Sequence, residues 1–242
     1  MLLYNKRIVV TGGSGRFGQI LKKNEKIFKF DFFFPNKKKF NILKYKSLKT
    51  YLKKIKPKYL IHLAGLSRPM SIHDKDIIQS IDKNIIGTAN ITKICSELGI
   101  KLIYVSTCYV YPGTKGNYNE NSPLLPINNY AWSKLGGESS VKLYKNSLIL
   151  RTSITEKPFV HKEAFHDFKT NFIFHEDLIR GIMKVLKFKG TLNVGGKSQS
   201  VYNFVKKYDP KIKKISAKKI LGKNAKLNIT MNIGKFKKLI ND

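Results

Sequence analysis

The sequence predicts an α/β fold, a doubly wound parallel sheet followed by a small, reduced C-terminal substrate lobe. Three observations carry this. The apolar run Ile8-Val9-Val10 leads straight into Thr11-Gly12-Gly13-Ser14-Gly15-Arg16-Phe17-Gly18, and a strand that ends in a glycine-rich turn and opens a helix can hold a pyrophosphate on free backbone N–H groups. Short apolar strands then alternate with helical patterns, as in a parallel sheet with crossover helices. Finally, Tyr130 and Lys134 stand four apart where a helix opens after the fourth strand, so they share one helix face. Residues 1–153 read as a dinucleotide-binding domain. Residues 154–242 read as a reduced substrate lobe interleaved with the last strands and helices of the sheet.

In order along the chain, residues 19–24 allow only a short first helix. Ile27-Phe28-Lys29-Phe30 reads as the second strand, ending at Asp31. A carboxylate there accepts hydrogen bonds from the adenosine ribose of NAD. It arrives 13 residues after Gly18, earlier than the usual spacing of about 20. Lys37-Lys38-Lys39 follow, either a solvated charge run or a partner for the 2′-phosphate of NADP. The balance leans slightly to NAD, since a carboxylate at contact outweighs a screened field. Phe40-Asn41-Ile42 reads as a short strand, with Asn41 among the cofactor contacts. Leu48, Tyr51, Leu52 and Ile55 repeat at helical spacing up to Pro57.

Tyr59 to Gly65 is the third strand. Its His62 lies in an apolar run and reads as a packed core residue. Ala64 and Gly65 are small, as a strand end beneath a flat cofactor must be. A continuous helix is expected from Asp76 to Leu98, stopped by Gly99. Leu102 to Val105 forms the fourth strand and delivers Ser106, Thr107 and Cys108 at its carboxyl end, where parallel sheets bind ligands. Residues 112–129 form a long, Pro-, Asn- and Gly-rich loop, a usual place for function. A helix from Tyr130 to Tyr144 and a strand at 147–151 follow. Later elements are shorter: a strand at 172–174, a helix from His175 to Lys187, a strand at 192–196 and a helix at 200–208.

With 242 residues, 42% of them hydrophobic, the chain is long enough for a real core. Its formal charge of +32 raises nucleic acid or an acidic membrane as partners. The charge is nearly all Lys, however, with Arg only at positions 7, 16, 68, 151 and 180. Nucleic-acid sites favour the planar Arg fork, so composition bias explains the charge better and nucleic acid is not the expected partner. Cys95 and Cys108 make neither a disulfide framework nor a metal spacing, so no metal is expected. Cys95 reads as buried and inert, Cys108 as a small filler. No apolar run approaches the length of a membrane span, and no leader precedes the first strand. A cytoplasmic protein is the expectation.

The chemistry rests on Tyr130 and Lys134. A free phenol titrates near ~10, too high for proton transfer at neutral pH. A neighbouring ammonium favours the phenolate and brings that value down. The pair can then act as acid or base beside a carbonyl or alcohol, with the Thr107 hydroxyl holding the substrate oxygen.

In these residues the chain resembles the extended short-chain dehydrogenase/reductase superfamily, the NAD-dependent epimerase/dehydratase type with a Rossmann-like sheet. The matches are 11–18, His-Leu-Ala-Gly at 62–65, Val-Ser-Thr at 105–107 and Tyr-Ala-Trp-Ser-Lys at 130–134. Within it, Ser-Thr-Cys-Tyr-Val-Tyr at 106–111, Lys-Leu-Gly-Gly-Glu at 134–138 and Leu-Ile-Leu-Arg-Thr-Ser at 148–153 are similar to dTDP-4-dehydrorhamnose reductases. So are His-Glu-Asp-Leu at 175–178 and the stretch 228–235. The resemblance covers most of residues 7–208.

That resemblance implies roles. Gly12, Gly15 and Gly18, with Ser14, Arg16 and Phe17, would hold the dinucleotide. Tyr130 would be the catalytic acid, Lys134 its partner and a ribose ligand, and Thr107 the orienting hydroxyl. Ser67, Arg68, Cys108, Tyr109 and Arg151 would meet the substrate; Arg151 equally suits a substrate phosphate or a core carboxylate. Cys108 stands where the reductases carry an aspartate. The two acidic residues of the related dehydratases are replaced by Cys108 and Tyr109, which argues against sugar 4,6-dehydration. The implied activity is reduction of a nucleotide-linked keto sugar with NAD or NADP, as in polysaccharide biosynthesis. An epimerase that retains NAD and a non-catalytic nucleotide- or RNA-binding member of the fold are the alternatives. Pairing of helices into a homodimer is common in the superfamily.

Overall fold

The computed structural model describes residues 6–241. A six-stranded sheet in the order β10-β5-β4-β3-β1-β2 organises it. Its strands are β1 (Arg7–Thr11), β2 (Asp31–Phe33), β3 (Tyr59–His62), β4 (Lys101–Val105), β5 (Ser147–Thr152) and β10 (Gly190–Val194). The pairs β1–β2, β1–β3, β3–β4 and β4–β5 are all parallel. The order reverses at β1, which places the topological switch beside the glycine turn. β3 and β4 are buried along their whole lengths, which is why they read as continuous rather than alternating apolar runs.

The chain forms two compact units. The first holds the residues up to Ser106, Asn129–Leu150 and Val185–Thr191. It contains α1 (Arg16–Asn24), α2 (Tyr45–Ile55), α3 (Ile72–Lys75), α4 (Ile77–Ser80), α5 (Gly87–Leu98) and α6 (Asn129–Lys142). Leu48 and Leu52 of α2 and Ile91, Ile94 and Cys95 of α5 pack with Val9, Leu60, Leu102, Tyr104 and Ile149. α2 stops at Lys56, whose left-handed φ of 51° lets its N–H reach the Leu52 carbonyl. Gly99 ends α5 in the same way, at φ 68°.

Two expectations fail here. The second strand is not Ile27–Phe30: residues 25–27 make a 3₁₀ turn, and β2 begins at Asp31. Phe28, Phe30, Phe32 and Phe34 alternate, so the pattern fits registers two residues apart. Ring contacts select the observed one, with Phe30 edge-on to Tyr59 at 6.1 Å and Phe32 stacked on Phe34 at 5.9 Å. Residues 40–42 form no strand either; Asn41 Oδ1 accepts from the Leu43 N–H at 3.0 Å in a turn entering α2.

The expected continuous helix over 76–98 is also interrupted. Ile81–Ile86 widens into a π-helical turn, a geometry associated with functional sites. Asn84 within it is 1% exposed.

The second unit holds Thr107–Asn128, Arg151–Lys184 and the residues from Leu192 onward. Three two-stranded sheets build it. β6 (Ile154–Thr155) pairs parallel with β9 (Ile173–Phe174). β7 (Glu163–Phe165) pairs parallel with β12 (Lys213–Ile215). β8 (Lys169–Thr170) pairs antiparallel with β11 (Gln199–Ser200). The helices are α7 (His175–Val185), α8 (Val201–Val205), α9 (Ala217–Leu221) and α10 (Gly234–Asn241). Val201, Phe204, Val205 and Ile212 form its core, with Phe165, Phe168, Phe172 and Phe174 packed on it. Among the described residues no helix is long and apolar enough to cross a membrane.

Candidate active site

The glycine turn follows β1 directly. Gly12 has φ 71°, and a Cβ on it would lie 2.7 Å from the Ala64 nitrogen. The turn and the end of β3 are therefore in backbone contact. Thr11 fastens them: its Oγ1 accepts from the N–H groups of Leu63 and Ala64 at 3.1 and 3.0 Å. A Cβ on Gly18 would meet the Gly12 oxygen at 2.3 Å, so α1 also packs against the turn by backbone alone. Gly15 caps α1 in extended conformation with no side chain over its first amides. A helix start left without a side-chain cap beside a close-packed glycine turn fits a dinucleotide pyrophosphate. Ser14 and Arg16 are exposed around it, and Phe17 is half-buried.

Asp31 does not belong to this end of the sheet. It pairs with Arg7, the first residue of β1, whereas the glycine turn follows Thr11, about 13 Å further along the strand direction. The expected ribose contact would have to reach across that distance. Beyond the carboxyl end of β2 come Phe34, Pro35 and Asn36, then the exposed Lys37, Lys38 and Lys39. No acidic residue occurs between Phe32 and Lys44. Asn41, its Oδ1 taken up by Leu43, serves its own turn.

His62 is the core residue the sequence suggested. Its Nδ1 lies 2.7 Å from Thr11 Oγ1 and its Nε2 3.1 Å from Thr88 Oγ1. Burial, helped by the Lys134 charge, pushes its pKa down to about 3, so the ring is neutral and structural.

Tyr130 and Lys134 both sit on the first turns of α6. Lys134 is 8% exposed. Its Nζ lies 4.1 Å from the centre of the Tyr104 ring. Burial lowers its pKa to about 7, while the Glu138 charge pulls the other way. Tyr130, four residues before it on the same helix, is half-buried.

Asn84 is a residue that sequence reasoning missed. Its Nδ2 donates to Ser133 Oγ at 2.8 Å and to the Leu66 oxygen at 2.9 Å, and its Oδ1 accepts from the Leu66 N–H at 2.7 Å. It thus ties the segment after Gly65 to α6 three residues past Tyr130. An Asn inside a strongly apolar helical pattern was the signal available. Ser67 and Arg68 lie exposed in that segment.

Thr107, Cys108, Tyr109 and Arg151 belong to the second unit. Thr107 Oγ1 accepts weakly from the Tyr109 N–H at 3.3 Å. Cys108 is 1% exposed. Burial pushes its thiol up to about 11, against hydrogen bonds with Ser153, Thr170 and Thr107, so it is a buried filler rather than a nucleophile. Tyr109 is half-buried. Arg151 is 3% exposed, and its guanidinium donates to Tyr111 Oη at 2.9 Å and to the Glu120 carbonyl oxygen at 3.2 Å. Tyr111 Oη in turn donates to Asn193 Oδ1 at 2.8 Å. Arg151 thus serves an interior network.

Known proteins share this fold. The family model described as RmlD substrate binding domain matches residues 6–171. The chain is 30% identical over 144 residues to the methionine adenosyltransferase 2 subunit beta of Xenopus laevis, a match covering 57% of this chain and 43% of that protein. The chain therefore spans less than half the length of that curated relative. The crystal structure of dTDP-4-dehydrorhamnose reductase from Bacillus anthracis in complex with NADP superposes with a TM-score of 0.84 at 23% identity, over 96% of this chain and 92% of that one. The Bordetella bronchiseptica enzyme WbmG, crystallised with NAD and UDP, gives a TM-score of 0.75 at 17% identity, over 98% and 89%. The fold is that of the dTDP-4-dehydrorhamnose reductases, and the chain belongs to the RmlD substrate-binding-domain family.

Proposed function

We propose that the chain is a nicotinamide-dependent reductase of a keto sugar carried on a nucleotide. The observation that carries this is Lys134, an ammonium buried against Tyr104 and lowered to about 7, four residues from Tyr130. A nicotinamide dinucleotide held there would supply the hydride that reduces the carbonyl carbon. Tyr130 gives its phenolic proton to the carbonyl oxygen. Lys134 stabilises the phenolate left behind and, as a proton-exchanging group, restores it. Thr107 holds the carbonyl oxygen, and Ser67, Arg68 and Tyr109 meet the sugar nucleotide. Gly12, Ser14, Gly15, Arg16, Phe17 and Gly18 hold the pyrophosphate, with Ala64 and Gly65 beneath the cofactor. With Asp31 at the opposite end of the sheet, Lys37 to Lys39 are the groups that follow β2, and a cationic turn there favours NADP over NAD.

The test is a screen of nucleotide-linked keto sugars with NADH and NADPH, following loss of reduced-nicotinamide absorbance. Tyr130→Phe should remove turnover of any substrate found and leave cofactor affinity within about twofold. Turnover of that variant within a few-fold of wild type sinks the assignment.

One observation supports a second reading. The curated relative above is named as a subunit of a methionine adenosyltransferase, which suits a member of the fold that binds a nucleotide and serves a partner protein. NADPH binding with no turnover across the whole screen would favour it.

A further inference from the structure

α3 is a single turn between the end of β3 and α4, and it grips the first turn of α6 with two consecutive residues. Asp74 Oδ1 accepts a hydrogen bond from Asn129 Nδ2 at 2.7 Å. Next to it, the His73 ring lies against the Tyr130 ring, with centroids 5.1 Å apart and planes tilted by 58°. His73 is 1% exposed, and its Nδ1 lies 2.8 Å from Ser80 Oγ, which fixes the ring plane. Its Nε2 is buried with no hydrogen-bond partner among the described residues.

An unpaired buried nitrogen costs free energy that a phenyl ring in the same place would avoid. Packing alone does not account for a histidine here. Nothing in the proposed chemistry of Tyr130, Lys134 and Thr107 uses it either.

We infer that His73 is a positioning residue for Tyr130, holding the phenol by ring contact and giving its proton equilibrium a polar neighbour through Nε2. This rests on the reading of Tyr130 as the proton donor. The groups around His73 fit a neutral imidazole. Burial lowers its pKa, and the adjacent Asp74 charge opposes this. Asp74 is itself engaged by Asn129. On α4, the Asp76 carboxylate accepts from the N–H and side-chain amide of Gln79 at 3.0 and 2.6 Å. On α6 the facing titratable group is Tyr130. A neutral ring beside the phenol adds no net charge, yet its dipole solvates a phenolate better than a hydrocarbon does.

The experiment is an NMR titration of the whole chain labelled with [13Cζ]tyrosine, with the Tyr130 signal assigned by its absence in Tyr130→Phe. His73→Phe keeps the ring contact and removes the nitrogens; His73→Gln restores a polar atom near the Nε2 position. The Tyr130 midpoint should rise by about half a pH unit or more in His73→Phe and return towards wild type in His73→Gln. With a reducible keto sugar in hand, kcat should fall by about fivefold in His73→Phe at unchanged KM and recover in His73→Gln. An unmoved Tyr130 midpoint in His73→Phe overturns the inference, as does a His73→Gln that matches His73→Phe. Should His73→Phe not fold, the His73 nitrogen signals in Tyr130→Phe decide instead: a shifted midpoint supports the coupling and an unchanged one refutes it. If wild type turns over no keto sugar, the reductase reading fails, and the titration still decides the role of His73.

Discussion

Lys134 holds its ammonium nitrogen 4.1 Å above the Tyr104 ring while its own carbonyl oxygen accepts a hydrogen bond from Tyr104 Oη at 3.2 Å. One aromatic residue near the carboxyl end of β4 therefore grips both ends of the lysine. The ring face compensates part of the lost hydration of the cation, but burial still wins and brings the pKa to about 7 from 10.5.

That shift has a sign in stability. Between about 7 and 10.5 the unfolded chain binds a proton at Lys134 that the folded chain does not. Stability from this group is therefore gained as pH rises through that window and lost as pH falls through about 7. Lys134→Met should flatten the rise. The melting temperature of the variant relative to wild type should drop steadily from pH 7 to about 9.5; parallel curves would show that Lys134 is not the titrating group.

The glycine turn predicts unequal glycines. Gly18→Ala puts a methyl 2.3 Å from the Gly12 oxygen and 2.7 Å from the Gly13 Cα. The turn must open, at about 1–3 kcal/mol, and NADPH affinity should fall by more than about tenfold. Gly15→Ala meets only the Gly12 oxygen at 3.2 Å and should keep its melting temperature within about 2 °C. Calorimetry with and without NADPH separates the two, and equal losses would contradict this packing.

Cofactor choice is the third test. Asp31→Ala should leave the ratio of NAD to NADP affinity unchanged, because Asp31 lies level with Arg7. Replacing Lys37, Lys38 and Lys39 together by Ala should weaken NADP by about tenfold relative to NAD. Titration of nicotinamide fluorescence measures both, and a ratio that follows Asp31 would refute the assignment.

Arg151→Met should act on stability rather than on substrate. It removes the donors to Tyr111 Oη and the Glu120 carbonyl in a buried network, a loss of about 2–3 kcal/mol. Urea denaturation reads this directly. A normal midpoint with a raised KM for the sugar nucleotide would restore the phosphate-binding role.

Motifs whose backbone does the work were legible in the sequence. Gly12 and Gly18 announce themselves because any side chain would collide. The Tyr130–Lys134 pair was legible because helical spacing is a strict geometric rule. The second strand was not, since Phe28, Phe30, Phe32 and Phe34 alternate equally well in two registers and only long-range contact with Tyr59 chooses. Asn84 was hidden for a related reason. An apolar pattern predicts a plain helix, while the π-helical turn carries Asn84 to partners, Leu66 and Ser133, that lie far off in sequence. His73 gave no signal, because its neighbours Ser80 and Tyr130 are brought to it only by the fold.

Asn193 shows what the threading of the second unit entails. Its side-chain amide donates to the carbonyls of Tyr118 and Asn232 at 2.9 and 3.3 Å, and Asn171 Oδ1 accepts from the Met231 N–H at 2.6 Å. During synthesis these amides exist long before residues 231 and 232 do. Until that stretch is made, the bond from Asn193 to the Asn232 carbonyl and the bond from the Met231 N–H to Asn171 cannot form, and the closure entropy of the long loop that pairs Tyr118 with Met231 is still unpaid. The second unit therefore completes these contacts only once the residues around Met231 have been made.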